Sequence, residues 1–178
     1  MAKKAKKAYT KYDQRKDRLN YEFHYNDVET ADLHQLINNN TQIGIDDIRR
    51  IALWKIDRVL SVSNETIERL RNLAGQESLT IEDEIVKEVI EELVSSDGIG
   101  FPMASAILKF LRPDVFPIID VRAYRAFTGT KPYYSTYTYD KYKEYAQNLQ
   151  QDAQRRERPL RDMDEQLYCF DQEKNGKI

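Results

Sequence analysis

Cysteine is almost absent from this chain: Cys169 stands alone among 178 residues. One thiol excludes an internal disulfide and the four-thiolate ligation that iron–sulfur clusters need. Histidine is nearly as scarce, with only His24 and His34, so a zinc site is not expected either. No metal and no cofactor is anticipated, and Cys169 reads as a small apolar packing residue. Long hydrophobic runs are also missing. The longest are only a few residues, which leaves neither a membrane span nor the apolar segment of a signal peptide behind the basic start MAKKAKKA. The expectation is a soluble, cytoplasmic monomer that does not engage membranes. Strand alternation of useful length and internal repeats are absent too, so the expected class is all-α.

What is present supports a core. Apolar residues make up 40% and charged residues 33%, and the mean hydropathy is -0.75. A chain of this length suits one compact domain with a very polar surface. The net charge of -2 hides an uneven distribution. Residues 1–18 carry eight Lys/Arg against two Asp, residues 61–100 three against ten Asp/Glu, and residues 101–161 eleven against six. A basic, flexible arm over residues 1–20 and a single all-helical domain over 21–178 follow. A polyanionic partner fits the basic segments on electrostatic grounds, with the acidic segment turned away.

Helical spacing begins at Val28, with Leu33, Leu36 and Ile37 on one face, Asp27 as a cap and Asn38-Asn39-Asn40 as the end. Asp46 reads as the N-cap of a helix through Leu60 that has Ile48, Ile51, Ala52 and Val59 at helical spacing and carries Trp54-Lys55. Ser63 starts a helix through Ala74, stopped by Gly75. Thr80, paired with Asp83, opens the strongest amphipathic segment: Ile81, Ile85, Val86, Val89, Ile90, Leu93 and Val94 form an apolar stripe opposite an acidic face. Later come Tyr133, Tyr134, Tyr137, Tyr139, Tyr142 and Tyr145, in a loop that becomes helical near Tyr139. Such rings either pack on the domain or stack on bases and sugars. The last helix, about Arg161 to Glu173, packs through Leu167, Tyr168 and Phe170.

The stretch from Ser95 to Phe127 organises the rest. Gly98 permits a tight turn between two helices, and Gly100 lets backbone approach a ligand while opening the second helix. Free N–H groups at that helix start suit a phosphate oxygen. Ala104 keeps the second helix slim, and Ile107 and Leu108 lock the pair. This is a helix-hairpin-helix pattern over about residues 80–111. Twenty residues after Gly100 stands Asp120, followed by VRAYRAF; an aspartate there is also an ordinary helix N-cap.

The elements Gly98-Ile99-Gly100, Ala104, then Ile119-Asp120-Val121-Arg122 and Arg125 resemble the helix-hairpin-helix DNA glycosylase superfamily of base-excision enzymes over about residues 80–130. Trp54-Lys55, GIGFPMASAIL and FPIIDVRAYRAF together are similar to a small, divergent prokaryotic-type branch. The resemblance implies DNA as partner and Asp120 as the catalytic carboxylate beside the sugar of a flipped nucleotide. There it stabilises positive charge as the base leaves and orients or deprotonates water. It further implies Gly98, Ile99, Gly100, Phe101, Met103, Arg122 and Lys55 as DNA contacts, and Trp54, Tyr133 and Tyr134 as walls of a base pocket.

Two positions depart from that pattern. The position that holds a lysine nucleophile in relatives with lyase activity is Pro102, which excludes a Schiff base there and leaves a monofunctional glycosylase; nothing in the spacing assigns that role to Lys55 or Lys109. The position two after the aspartate, often His in relatives, is Arg122, which either clamps a phosphate or pairs with Asp120. Repair of damaged DNA and attack on hypermodified foreign DNA are both compatible with these residues. The alternatives are a non-catalytic hairpin module that grips DNA backbone and an all-helical protein-interaction adaptor.

Overall fold

The computed structural model describes Lys16 and residues 20–22, 24–38 and 41–178. Apart from Lys16 and Asn20, the expected basic arm over residues 1–20 lies outside the described residues, as do Asn39 and Asn40. Among the described residues there are eight α-helices and no β-strand; the all-α expectation holds. No helix among them is long and apolar enough to cross a membrane. The contacts divide the chain into two compact units, residues 1–57 and 58–178.

The first unit contains α1 (Asp27–Ile37) and α2 (Ile45–Lys55). Asn26, in the left-handed region at φ 47°, is the N-cap of α1, so Asp27 falls inside the first turn and does not cap it. Leu33 is buried, but Leu36 is exposed. The helix expected from Asp46 to Leu60 is shorter. Gly44 opens α2, its N–H donating to Asp47 Oδ2 at 2.8 Å. Asp57, at φ 56°, lies just past the end of α2, in a left-handed conformation that Asp tolerates better than most residues. Val59 therefore lies outside the helix, and Ile48 and Ala52 of the apolar spacing are exposed. Trp54 anchors the unit: its Nε1 donates to Thr30 Oγ1 at 2.9 Å, and Tyr25 stands edge-on against it at 5.1 Å. Arg50 ties α2 to α1 through Glu29 and Asp32.

The second unit holds α3 (Asn64–Gly75), α4 (Glu84–Ser95), α5 (Phe101–Leu111), α6 (Val121–Thr128), a single 3-10 turn (Tyr134–Thr136), α7 (Tyr139–Arg155) and α8 (Leu160–Asn175). Ser63 caps α3 as expected, its hydroxyl accepting from the Thr66 N–H at 3.0 Å. Helix α4 starts four residues later than Thr80. The Thr80–Asp83 pair does form, with the Thr80 N–H donating to Asp83 Oδ2 at 2.7 Å, but it builds the turn that precedes the helix. Val86, Val89, Ile90 and Leu93 then face the centre fully buried, while Val94 is exposed. Burying each such side chain contributes about 1.5–3 kcal/mol.

Leu73, Leu108, Phe116, Ile119, Tyr142 and Leu149 complete that core. Of the residues expected to pack from α8, Leu167 does so, partly buried against the core, but the rest of the inward face differs. Leu160, Met163, Asp164 and Asp171 are buried, whereas Tyr168 and Phe170 are exposed. Cys169 is exposed as well, correcting its reading as a packing residue.

Candidate active site

The α4–α5 hairpin turns through Ser96–Gly100. Gly98 has φ +76°, and a Cβ there would lie 2.3 Å from the carbonyl oxygen of Val59. The Ser61 N–H donates to the Asp97 oxygen at 3.2 Å, holding the 59–61 segment against the turn. Gly98 is thus required both by its backbone conformation and by the approach of a second strand of chain. Gly100 is different: its φ of -96° suits any residue, but a Cβ on it would lie 1.5 Å from the Tyr134 hydroxyl. The close approach expected of a ligand at Gly100 is occupied by a tyrosine of the same chain.

Gly100 caps α5, with Pro102 in the first turn. Among the described residues, the N–H groups of Gly100 and Phe101 have no hydrogen-bond partner. The Ile99 N–H donates to Ser96 O at 3.2 Å, and the side chains of Ile99 and Phe101 are buried. Of the hairpin residues expected to contact DNA, Met103 alone offers an exposed side chain; the others offer backbone.

Residues 116–120 lead into α6 outside any helix or strand, and side chains from three helices hold their backbone. The Tyr142 hydroxyl donates to Pro117 O at 2.9 Å and the Tyr145 hydroxyl to Ile118 O at 3.2 Å. Asp164 Oδ2 accepts from the Ile118 N–H at 3.2 Å, and Ser105 Oγ accepts from the Ile119 N–H at 3.1 Å. Satisfying these buried groups fixes a segment that has no ladder or helix of its own. It ends at Asp120.

Asp120 caps α6: its Oδ1 accepts from the Ala123 N–H at 2.7 Å. Its other oxygen has no hydrogen bond and no ion pair among the described residues, and the residue is only half-buried. Arg122 does not neutralise it. The Arg122 guanidinium donates to Asp171 Oδ2 at 3.0 Å and to Gly176 O at 2.9 Å, and lies 5.5 Å from the centre of the Tyr168 ring. Arg125 forks onto both oxygens of Asp171 at 2.8 and 2.7 Å. These bonds, first that from Arg125, hold the Asp171 carboxyl well below the usual carboxylate range.

Lys109 is likewise committed. Its ammonium lies 2.9 Å from both Asp164 oxygens and 2.8 Å from Glu165. Burial pulls its pKa down, and the two carboxylates more than reverse this, leaving it above the ordinary value. Much of the basic excess after the hairpin is consumed in this way. Lys131, Lys141, Lys143 and Arg158 carry no ion pair among the described residues. The three lysines flank the tyrosine loop, and Lys141 sits 5.8 Å from the centre of the Tyr124 ring.

The aromatic loop faces the hairpin. Tyr137 stacks on Phe101 with centroids 6.1 Å apart, and Tyr134 stands edge-on to Tyr137 at 6.5 Å. Tyr133 and Tyr134 are exposed, while Tyr137 is 9% exposed. Burial first, then the charges of Asp120 and Tyr124, push the Tyr137 phenol up to about 12. Tyr134 is thus joined to the glycine tip through its hydroxyl. Trp54 and Lys55 belong to the first unit, Trp54 packed against Tyr25 and Thr30 and Lys55 exposed. Sequence reasoning missed Ser105, Asp164 and Asp171, and gave Tyr137 only as one of the tyrosine cluster. A cavity of about 810 Å³ between α6, α7 and α8, lined by Phe127, Met163, Leu167, Phe170, Arg156 and Arg158 among others, does not include Asp120.

No protein-family model, curated protein or solved structure matches this chain.

Proposed function

We propose that this chain is a monofunctional DNA glycosylase that hydrolyses the N-glycosidic bond of a damaged or modified base, hypermodified foreign bases included. The observation that carries the reading is Asp120. Its carboxylate caps α6 with one oxygen and keeps the other unpaired, downstream of a glycine hairpin whose leading N–H groups are also unpaired. A carboxylate in that state stabilises the cationic sugar as the base departs and accepts a proton from the attacking water. Unpaired N–H groups at a helix start favour a backbone phosphate, and the lysines around the tyrosine loop favour the same polyanion.

Two features support the monofunctional reading. Pro102 stands at the position that holds a lysine in the resembled lyase-active enzymes, and Lys109 is held as a buried ammonium by Asp164 and Glu165, so its nitrogen has no free lone pair for a Schiff base. The test is incubation with duplexes carrying different lesions and hypermodified bases, followed by mild alkali to cut at abasic sites. The wild type is expected to release at least one base, and Asp120→Asn to bind the same DNA without releasing it. Salt-dependent binding with no release from any duplex would favour a non-catalytic DNA-gripping module, and no binding at all an adaptor.

A further inference from the structure

The Tyr137 hydroxyl is buried and has no hydrogen-bond partner, the sole such side-chain atom among the described residues. Tyr139, Tyr142 and Tyr145, buried in the same region, each donate to a backbone carbonyl. Folded proteins rarely leave a buried hydroxyl unpaired, and the exceptions call for a reason. The surroundings supply one. Tyr137 stacks on Phe101, the first residue of α5, and the exposed Tyr134 leans edge-on against it with its own hydroxyl seated on Gly100. The charge of Asp120 acts on the phenol, yet no hydrogen bond joins the two. The second unit thus holds both a buried donor without an acceptor and a carboxylate oxygen without a donor.

We propose that Tyr137 is a catalytic residue whose O–H, uncovered when the substrate displaces Tyr134, donates to the departing base at the atom beside its glycosidic nitrogen: O2 of a pyrimidine or N3 of a purine. This rests on the glycosylase reading and completes it. As the C1′–N bond breaks, its electron pair goes to the base and leaves positive charge on the sugar. Asp120 faces the positive fragment and the Tyr137 O–H the negative one. Water forms the new C1′–O bond and passes a proton to Asp120, which later releases it to solvent, where the base anion takes one up. Tyr137 keeps its own proton throughout. Tyr134 closes the site when it is empty, because its ring occupies the approach to both Gly100 and Tyr137.

The experiment is single-turnover base release by wild type, Tyr137→Phe and Asp120→Asn. The duplexes carry either a base that leaves as an anion (uracil, 5-fluorouracil, hypoxanthine) or one that leaves neutral because it is already cationic (N7-methylguanine). Tyr137→Phe removes an unpaired hydroxyl, so its melting temperature should equal or exceed that of wild type. It should slow release of the anionic leaving groups by at least about tenfold and leave N7-methylguanine release unchanged; Asp120→Asn should slow both. Equal release of uracil-type bases by Tyr137→Phe and wild type, or an equal loss on both kinds of base, overturns the role of Tyr137 and leaves the glycosylase reading standing. Wild type that releases none of these or any other base overturns the reading, and this inference with it.

Discussion

The Tyr134 hydroxyl sits where a side chain on Gly100 would begin, 1.5 Å from the position of its Cβ. Two residues earlier, Gly98 meets the backbone carbonyl of Val59 instead, and does so at φ +76°. The two glycines of one turn therefore answer to different neighbours. Tyr134 is largely exposed and its far end can swing aside; the Val59 carbonyl is held by the bridge between Ser61 and Asp97. Gly100→Ala is expected to change stability by less than about 1 kcal/mol. Gly98→Ala should cost more than about 2 kcal/mol, from left-handed strain together with the backbone clash. Denaturant melts of the two variants decide this, and equal costs would show that the turn does not discriminate between its glycines.

Asp120 has a structural duty and a proposed chemical one, and the duties separate by substitution. Asparagine caps helices about as well as aspartate, so Asp120→Asn should fold with near wild-type stability; Asp120→Ala should lose about 1 kcal/mol with the cap. Both should be inactive in base release. An active Asp120→Asn protein would reduce Asp120 to a cap.

Asp171 is buried between Arg122 and Arg125, and its carboxyl titrates lower in the folded protein than in the unfolded chain. A depressed folded pKa contributes stability above the unfolded value, near 3.9, and that stability is lost as pH falls toward the folded value. Asp171→Asn should therefore melt roughly 10 °C below wild type at pH 7. The gap should hold down to about pH 5 and narrow below about pH 4. Thermal melts across pH 3 to 7 test this; a gap that widens in acid would contradict the assigned ionisation.

Lys109 and Asp164 form the other buried pair, both under 5% exposed. Lys109→Met strands a buried carboxylate and should destabilise by about 3–5 kcal/mol. Combining it with Asp164→Leu should recover part of that loss, held short of full recovery by the Ile118 N–H that Asp164 also satisfies. Wild type treated with borohydride in the presence of abasic DNA should form no covalent adduct; an adduct mapped to Lys109 would reverse its assignment as a structural cation.

Features written in a few consecutive residues were legible. The Ser63 cap, the α4 stripe, the left-handed turn at Gly98 and the N-capping Asp120 each depend on neighbours within a turn or two. What sequence reasoning missed depends on distant partners. Asp164 and Asp171 drew no reading from the sequence because their cations lie 55 and 46 residues away. Signals existed: Lys109 interrupts an otherwise apolar helix, and Arg122 and Arg125 share one face of a short helix, so each demands a buried counter-charge. The α2 face failed for another reason. Periodicity locates an apolar stripe without telling whether anything covers it, and most of that stripe is exposed.

The 116–120 segment carries a consequence for ancestry. Its backbone is held by Ser105, Tyr142, Tyr145 and Asp164, so selection on its geometry falls on those four side chains, scattered over three helices. Phe116 and Ile119, fully buried, must in addition keep apolar side chains that fit the core. Kinship to this chain should therefore be traced as a correlated set, a hydroxyl on α5, two phenols on α7 and a carboxylate on α8, inherited together ahead of an aspartate that opens a short helix.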